Sequence, residues 1–266
     1  MSEILLFETQ GPVAILTINR AESRNPLGHD GDGDAFAAAA ARINADRGIR
    51  AAILTGAGKA FSAGGDLKAM RERGGAFGGP GVAIRERYRN GIHKIVRSVW
   101  NVEVPLIAAV NGPAIGLGND VACLADTRIA SDTAIFGATF LKIGLIPGDG
   151  GAWLLPRVIG MARASELLYT GDTIDAPTAL NWGLVSKVVP AATLMDEALK
   201  LANRMAAQPP DVLRMTKRLL REGQSTGFDN IMELSAAMQS LAHHTEDHVE
   251  AVNAFFEKRP GNYKGR

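Results

Sequence analysis

An α/β fold with an all-helical C-terminal region is predicted by three observations on the 266-residue chain. As far as about residue 190, short β-type runs alternate with longer helical ones, the pattern of parallel strands joined by crossover helices. From about Thr193 every segment has helical period and no strand intervenes. Hydrophobic residues make up 46% of the sequence, enough to bury one large domain or a domain with an appendage. The chain is accordingly divided into a strand–helix core, 1–192, and a helical region, 193–266.

The elements follow in order. Residues 4–10 and 13–20 are strand-like and flank Gly11-Pro12, which reads as a hairpin. The alanine-rich run 34–46 is a helix, and 49–58 is a buried strand ending in glycines. Residues 104–112, 126–137 and 183–189 are strand-like, each followed by a helical segment. Residues 84–99 place Ile84, Tyr88, Ile92, Ile95 and Val99 at helical spacing, an amphipathic surface helix. Between 73 and 81 five glycines and a proline predict a mobile surface loop. Four helical runs, 193–208, 211–222, 230–244 and 246–258, carry Met, Leu and Ala on one face, suited to core or subunit contact.

Charge is nearly balanced, 29 basic against 28 acidic residues, so no general attraction to nucleic acid or anionic membrane is expected. The basic helix with Arg85, Arg87, Arg89, Lys94 and Arg97 is the only support for an RNA-binding reading. Cys123 is the single cysteine and reads as a packed core thiol, because no His–carboxylate pairing accompanies it. Apolar runs fall far short of a membrane span, and the N-terminus lacks the pattern of a secretory signal. A soluble cytoplasmic protein is expected.

Familiar binding motifs fail on inspection. Near Gly56–Phe61 a phosphate loop would need glycine at Ile53 and Ser or Thr at Ala60. The Gly116–Val121 run has Val121 where a dinucleotide turn needs its third small residue. The five histidines show no metal spacing tied to an acidic partner, and no metal is expected.

Two segments carry a specific likeness. "GKAFSAGGDLKAM" (Gly58–Met70) and "VNGPAIGLGNDVACLADTRIAS" (Val110–Ser131) resemble the two signature regions of the crotonase (enoyl-CoA hydratase/isomerase) superfamily. The likeness extends through Phe136–Gly160 to the C-terminus and so covers essentially the whole chain. It implies a crotonase-like spiral of ββα units whose C-terminal all-helical region builds trimers, often hexamers. It also implies an acyl-CoA thioester substrate, with coenzyme A as part of the substrate and no separate cofactor.

By that resemblance, the N–H groups of Gly65 and Leu117 form an oxyanion hole for a thioester oxygen gaining enolate charge. One such donor contributes about 3–4 kcal/mol. Leu117 stands where the family more often has glycine; the N–H survives the change. Coenzyme A contacts are implied for Arg24, Ala63, Asp66, Leu67 and Lys68, and substrate contacts also for Gly116 and Phe140. Phe255 and Lys258 match positions that reach the coenzyme A of a neighbouring subunit.

The reaction is less determined. Asp120 falls on the family's first catalytic glutamate, and Phe140 on the second. Asp149 in "IPGDGG" is the replacement carboxylate, with a helix N-cap as its alternative role. The helix dipole at Asp120 predicts an ionised side chain better suited to a base than an acid. Enoyl-CoA hydration is the first reading. Isomerisation, hydrolysis or decarboxylation through the same hole is the second, and a non-catalytic or RNA-binding member the third.

Overall fold

The computed structural model describes residues 4–266. Eleven strands and twelve α-helices alternate among them. Strands β1 (Leu5–Gln10) and β2 (Val13–Ile18) form the expected hairpin, which leads through β3 (Pro26–Leu27) into α1 (Asp32–Ala45). Next come β4 (Ala51–Gly56), β5 (Gly64–Gly65), α2 (Leu67–Glu72), α3 (Gly81–Arg87) and α4 (His93–Trp100). Strands β6 (Leu106–Val110) and β7 (Ala114–Ile115) precede α5 (Leu117–Leu124). After β8 (Thr127–Ser131) and β9 (Ile135–Gly137) come α6 (Gly151–Ile159) and α7 (Met161–Thr170). The rest is β10 (Thr173–Asp175), α8 (Ala176–Asn181), β11 (Lys187–Val189), α9 (Leu194–Ala206), α10 (Pro210–Glu222), α11 (Phe228–His243) and α12 (Glu246–Glu257).

The pattern long strand, short strand, helix recurs along the core. The long strands join one six-stranded sheet of order β1-β2-β4-β6-β8-β11, parallel except for the opening hairpin. The short strands leave it for two small sheets, β3-β5 and β10-β9-β7. This is the crotonase-type ββα arrangement implied by the signatures. Residues 126–137, expected as one strand, are divided by a turn at 132–134, so that β8 and β9 serve different sheets.

All six residues of β4 are buried, as a parallel strand covered on both faces requires. Alternation sends Ala52, Leu54, Ala108 and Val110 into the main core with Phe36, Ile43, Ile95 and Val121. It sends Ile53, Ile107 and Ile129 to the opposite face. There α9 lies on the sheet through Leu194, Ala198, Ala202 and Ala206, one residue every four, and the three alanines admit the helix close to the strands.

Two segments differ from expectation. The glycine stretch at 73–81 lies largely at the surface as expected, but Gly75–Phe77 within it forms a 3₁₀ turn with Ala76 buried. The expected continuous helix over 84–99 is interrupted by a π-type turn at Tyr88–Ile92. Among the described residues no helix is long and apolar enough to cross a membrane.

Candidate active site

The glycines of the two signatures are explained first by close packing. A Cβ at Gly64, whose φ is +87°, would lie 2.5 Å from the Ile115 carbonyl oxygen and 3.4 Å from the Leu117 nitrogen. The chain therefore brings β5 against the entrance of α5 only with bare backbone there. Ser62 bridges Ala114, and the Gly116 N–H donates to the Gly137 carbonyl at 2.8 Å, so β7 is held on both sides.

The direction of the Gly65 N–H follows from Pro26. The register pairs Pro26 with Gly64 and Leu27 with Gly65 in a parallel ladder. Proline has no N–H, so Pro26 cannot be the bonding residue of that rung and residue 64 takes that place; the Gly64 N–H also donates to Ser62 Oγ at 3.2 Å. The Pro26 carbonyl accepts from Arg20 Nη1 at 3.1 Å, and the Gly28 N–H donates to Asp32 Oδ2 at 3.0 Å. With residue 64 as the bonding residue of this rung, the alternation of a parallel ladder leaves the Gly65 N–H outside it. Leu117 is the first residue of α5, and its N–H has no acceptor among the described residues.

Gly65 and Leu117 line one cavity of about 90 Å³ with Ala63, Leu67, Gly116, Phe140 and Asp149. Seven expected site residues thus meet in one place. Phe77, Tyr88 and Ile143 add apolar wall. Gly116, at φ +54°, faces the Phe140 ring: a Cβ there would stand 3.7 Å from it.

Asp120 lies in the first turns of α5, fully buried, with Oδ2 accepting the Gly151 N–H at 3.0 Å. Its Oδ1 has no hydrogen-bond partner, and neither has Oδ1 of Asp149. Burial, then the neighbouring Asp149, pushes the Asp120 carboxyl up to about 8, against the lowering pull of Gly151 N–H and Asn119. Burial likewise pushes Asp149 up to about 6, opposed by His93. The helix-dipole expectation of an ionised Asp120 is therefore corrected: desolvation outweighs the dipole, and at neutral pH this carboxyl holds a proton. Nor does Asp149 cap a helix; α6 has Gly150 as its N-cap and no side-chain cap bond.

The coenzyme A candidates divide. The Arg24 carbonyl accepts the Ala63 N–H at 2.8 Å, so these two adjoin, and Arg24 holds the left-handed conformation at φ 64°. Asp66 uses its carboxylate to cap α2, accepting from Lys68 N at 2.9 Å and Ala69 N at 3.1 Å. Leu67 and Lys68 are exposed, and of the two only Leu67 lines the cavity. Phe255 and Lys258, at the end of α12, are exposed and line none of this cavity within one chain.

Tyr88, His93, Phe77 and Gly151 were missed in the sequence reading. Tyr88 had a signal, since it sits on the apolar stripe of its helix; His93 had none. Cys123 is the packed core thiol expected, its pKa pushed up to about 12 by burial. Among the described residues no group of three His, Cys, Asp or Glu is placed to hold a metal ion.

Residues 8–266 match the family model described as enoyl-CoA hydratase/isomerase. The chain belongs to that family. It is 36% identical over 262 residues to a crotonyl-CoA hydratase of Syntrophomonas wolfei, covering 98% of each chain. It is 35% identical to a 1,2-epoxyphenylacetyl-CoA isomerase of Escherichia coli, covering 100% of both. A solved enoyl-CoA hydratase from Bacillus anthracis superposes with a TM-score of 0.92 at 33% identity, covering 99% of this chain and 100% of that one. As a family member the chain is an enzyme of the hydratase/isomerase type.

Proposed function

We propose that this family member adds water across the double bond of a 2-enoyl-CoA thioester. The observation that carries the reading is Asp149 in the cavity lined by Gly65 and Leu117, with the Asp120 carboxyl buried behind that lining and electrostatically coupled to Asp149. The thioester oxygen accepts from the N–H groups of Gly65 and Leu117, which stabilise the negative charge that builds there. Asp149, ionised above about pH 6, takes a proton from water as its oxygen bonds to the β carbon. Asp120, protonated below about pH 8, returns a proton to the α carbon. The pair ends with one proton, as it began. Their environments separate the two roles, in the reverse of the assignment the helix dipole suggested.

Coenzyme A lies along Arg24, Ala63 and the start of α2, with Phe255 and Lys258 supplied by a second copy of the chain in a homotrimer or homohexamer. Their exposure at the end of α12 supports that arrangement.

A second reading is isomerisation, in which one carboxylate moves a proton between carbons and no water is added. It is favoured by Phe140, which gives an apolar wall where the family's hydratases carry a second glutamate, and by similarity to the E. coli isomerase. A panel of enoyl-CoA esters followed by enoyl absorbance and by free-thiol release separates the two. Hydration bleaches the enoyl band with no thiol released and yields a 3-hydroxyacyl product. A shifted double bond with no gain of water overturns the first reading.

A further inference from the structure

We propose that His93 is a positioning residue for Asp149: it anchors the loop one residue ahead of that carboxylate and sets a protonatable ring beside it. The proposal rests on the reading of Asp149 as the group that takes the water proton.

The geometry begins with the π-type turn. Residues 88–92 widen the helix by one residue per turn, and such turns recur at functional sites. The extra residue brings the His93 ring round to the Ile146–Gly148 loop, where Nε2 lies 2.9 Å from the Gly148 carbonyl oxygen. A carbonyl only accepts, so Nε2 carries the hydrogen and the tautomer is settled. Nδ1 is left as the site for a second proton. The loop itself closes tightly, with the Gly148 N–H donating to the Ile146 carbonyl at 2.8 Å. Tyr88 packs edge-on against His93, with ring centroids 5.9 Å apart, and forms wall between the histidine and the cavity.

Three titratable groups face Asp149 from the elements packed on it: Asp120 from α5, Tyr88 from the π turn and His93 from α4. Asp120 repels a second negative charge. Tyr88, held up at about 12 by burial and by Asp149, stays neutral. Only the histidine favours the Asp149 anion.

The test compares His93→Gln and His93→Phe with the parent enzyme across pH 5–9. Glutamine keeps a donor for the Gly148 carbonyl and loses the charge; phenylalanine loses both. Loss of the anchor in His93→Phe is expected to lower kcat/KM by up to about a hundredfold, as a misplaced catalytic group does. His93→Gln recovers most of that loss. In both variants the acid limb of the pH profile moves up by about 1 unit, because a favourable charge is gone. A wild-type limb in both overturns the proposal, as does equal activity of the two variants. A ¹³C titration of the Asp149 carboxyl gives the same reading without turnover. If no enoyl-CoA is converted but that titration moves, the proposed reaction fails while the role of His93 stands. If the carboxyl titrates unchanged, the role of His93 fails whatever the reaction.

Discussion

Gly151 and Asp120 are locked together: the Gly151 N–H donates to Oδ2 at 3.0 Å, and a Cβ on residue 151 would lie 2.5 Å from Oδ1. The first residue of α6 must therefore be glycine for the carboxyl on α5 to stay where it is. Gly151→Ala is expected to expel Asp120 from its seat. A loss of about 1–3 kcal/mol in urea unfolding should accompany the overpacking. Turnover of an enoyl-CoA should fall by at least about a hundredfold. Wild-type turnover in a folded Gly151→Ala protein would remove the positional argument for Asp120.

Activity should follow a bell in pH. In the proposed hydration Asp149 works without its proton, so the rate should climb through about pH 6; Asp120 works with its own, so the rate should fall through about pH 8. These limbs belong to the pair as a unit. Asp149→Asn and Asp120→Asn should each lower kcat by about 10²–10⁴-fold. Residual activity of Asp149→Asn should lack the rising limb. Steady-state rates across pH 5–9 decide this.

Stability should run the other way from that of most acid-sensitive proteins. Both carboxyls have folded-state pKa values above the ordinary 3.8, so the folded chain holds their protons more tightly than the unfolded one. Their contribution is fully present below about pH 4 and is lost as pH rises through 6 and 8. For Asp120 alone the loss is on the order of 5 kcal/mol by pH 9. Urea midpoints at pH 5 and pH 9 should differ accordingly, and Asp120→Asn should flatten the difference.

Leu117→Pro isolates a backbone hydrogen. Proline suits the first position of a helix, so α5 should form while the N–H disappears. A drop of about 10²–10³-fold in kcat is expected. Leu117→Met retains the N–H and nearly the same volume and should keep most of the activity. Equal loss in both would trace the effect to packing rather than to the missing donor.

The strand–helix alternation was legible because apolar runs and helical periods are long-range signals. The four C-terminal helices were legible for the same reason. Strands of two residues such as β3 and β5 leave no pattern, and the division of β8 from β9 depends on which sheet each joins. Asp120 could be named from its motif position, and Asp149 as the carboxylate available in the neighbouring loop. Their protonation could not, because it depends on burial and on each other's charge. His93 was out of reach: its partner Gly148 is far along the chain, and only a π-type turn aims the ring. The glycine stretch around Phe77 looked like loose surface, since a short inward 3₁₀ turn has no signature in composition.

Pro26 carries a consequence beyond its own position. Because it has nothing to donate, the ladder between the two shortest paired strands has a single permissible phase. Any other amino acid there would offer a second phase, in which residue 65 spends its hydrogen on its neighbour. A ring that lines no part of the cavity thus decides which hydrogens along residues 64 and 65 the strand pairing can claim.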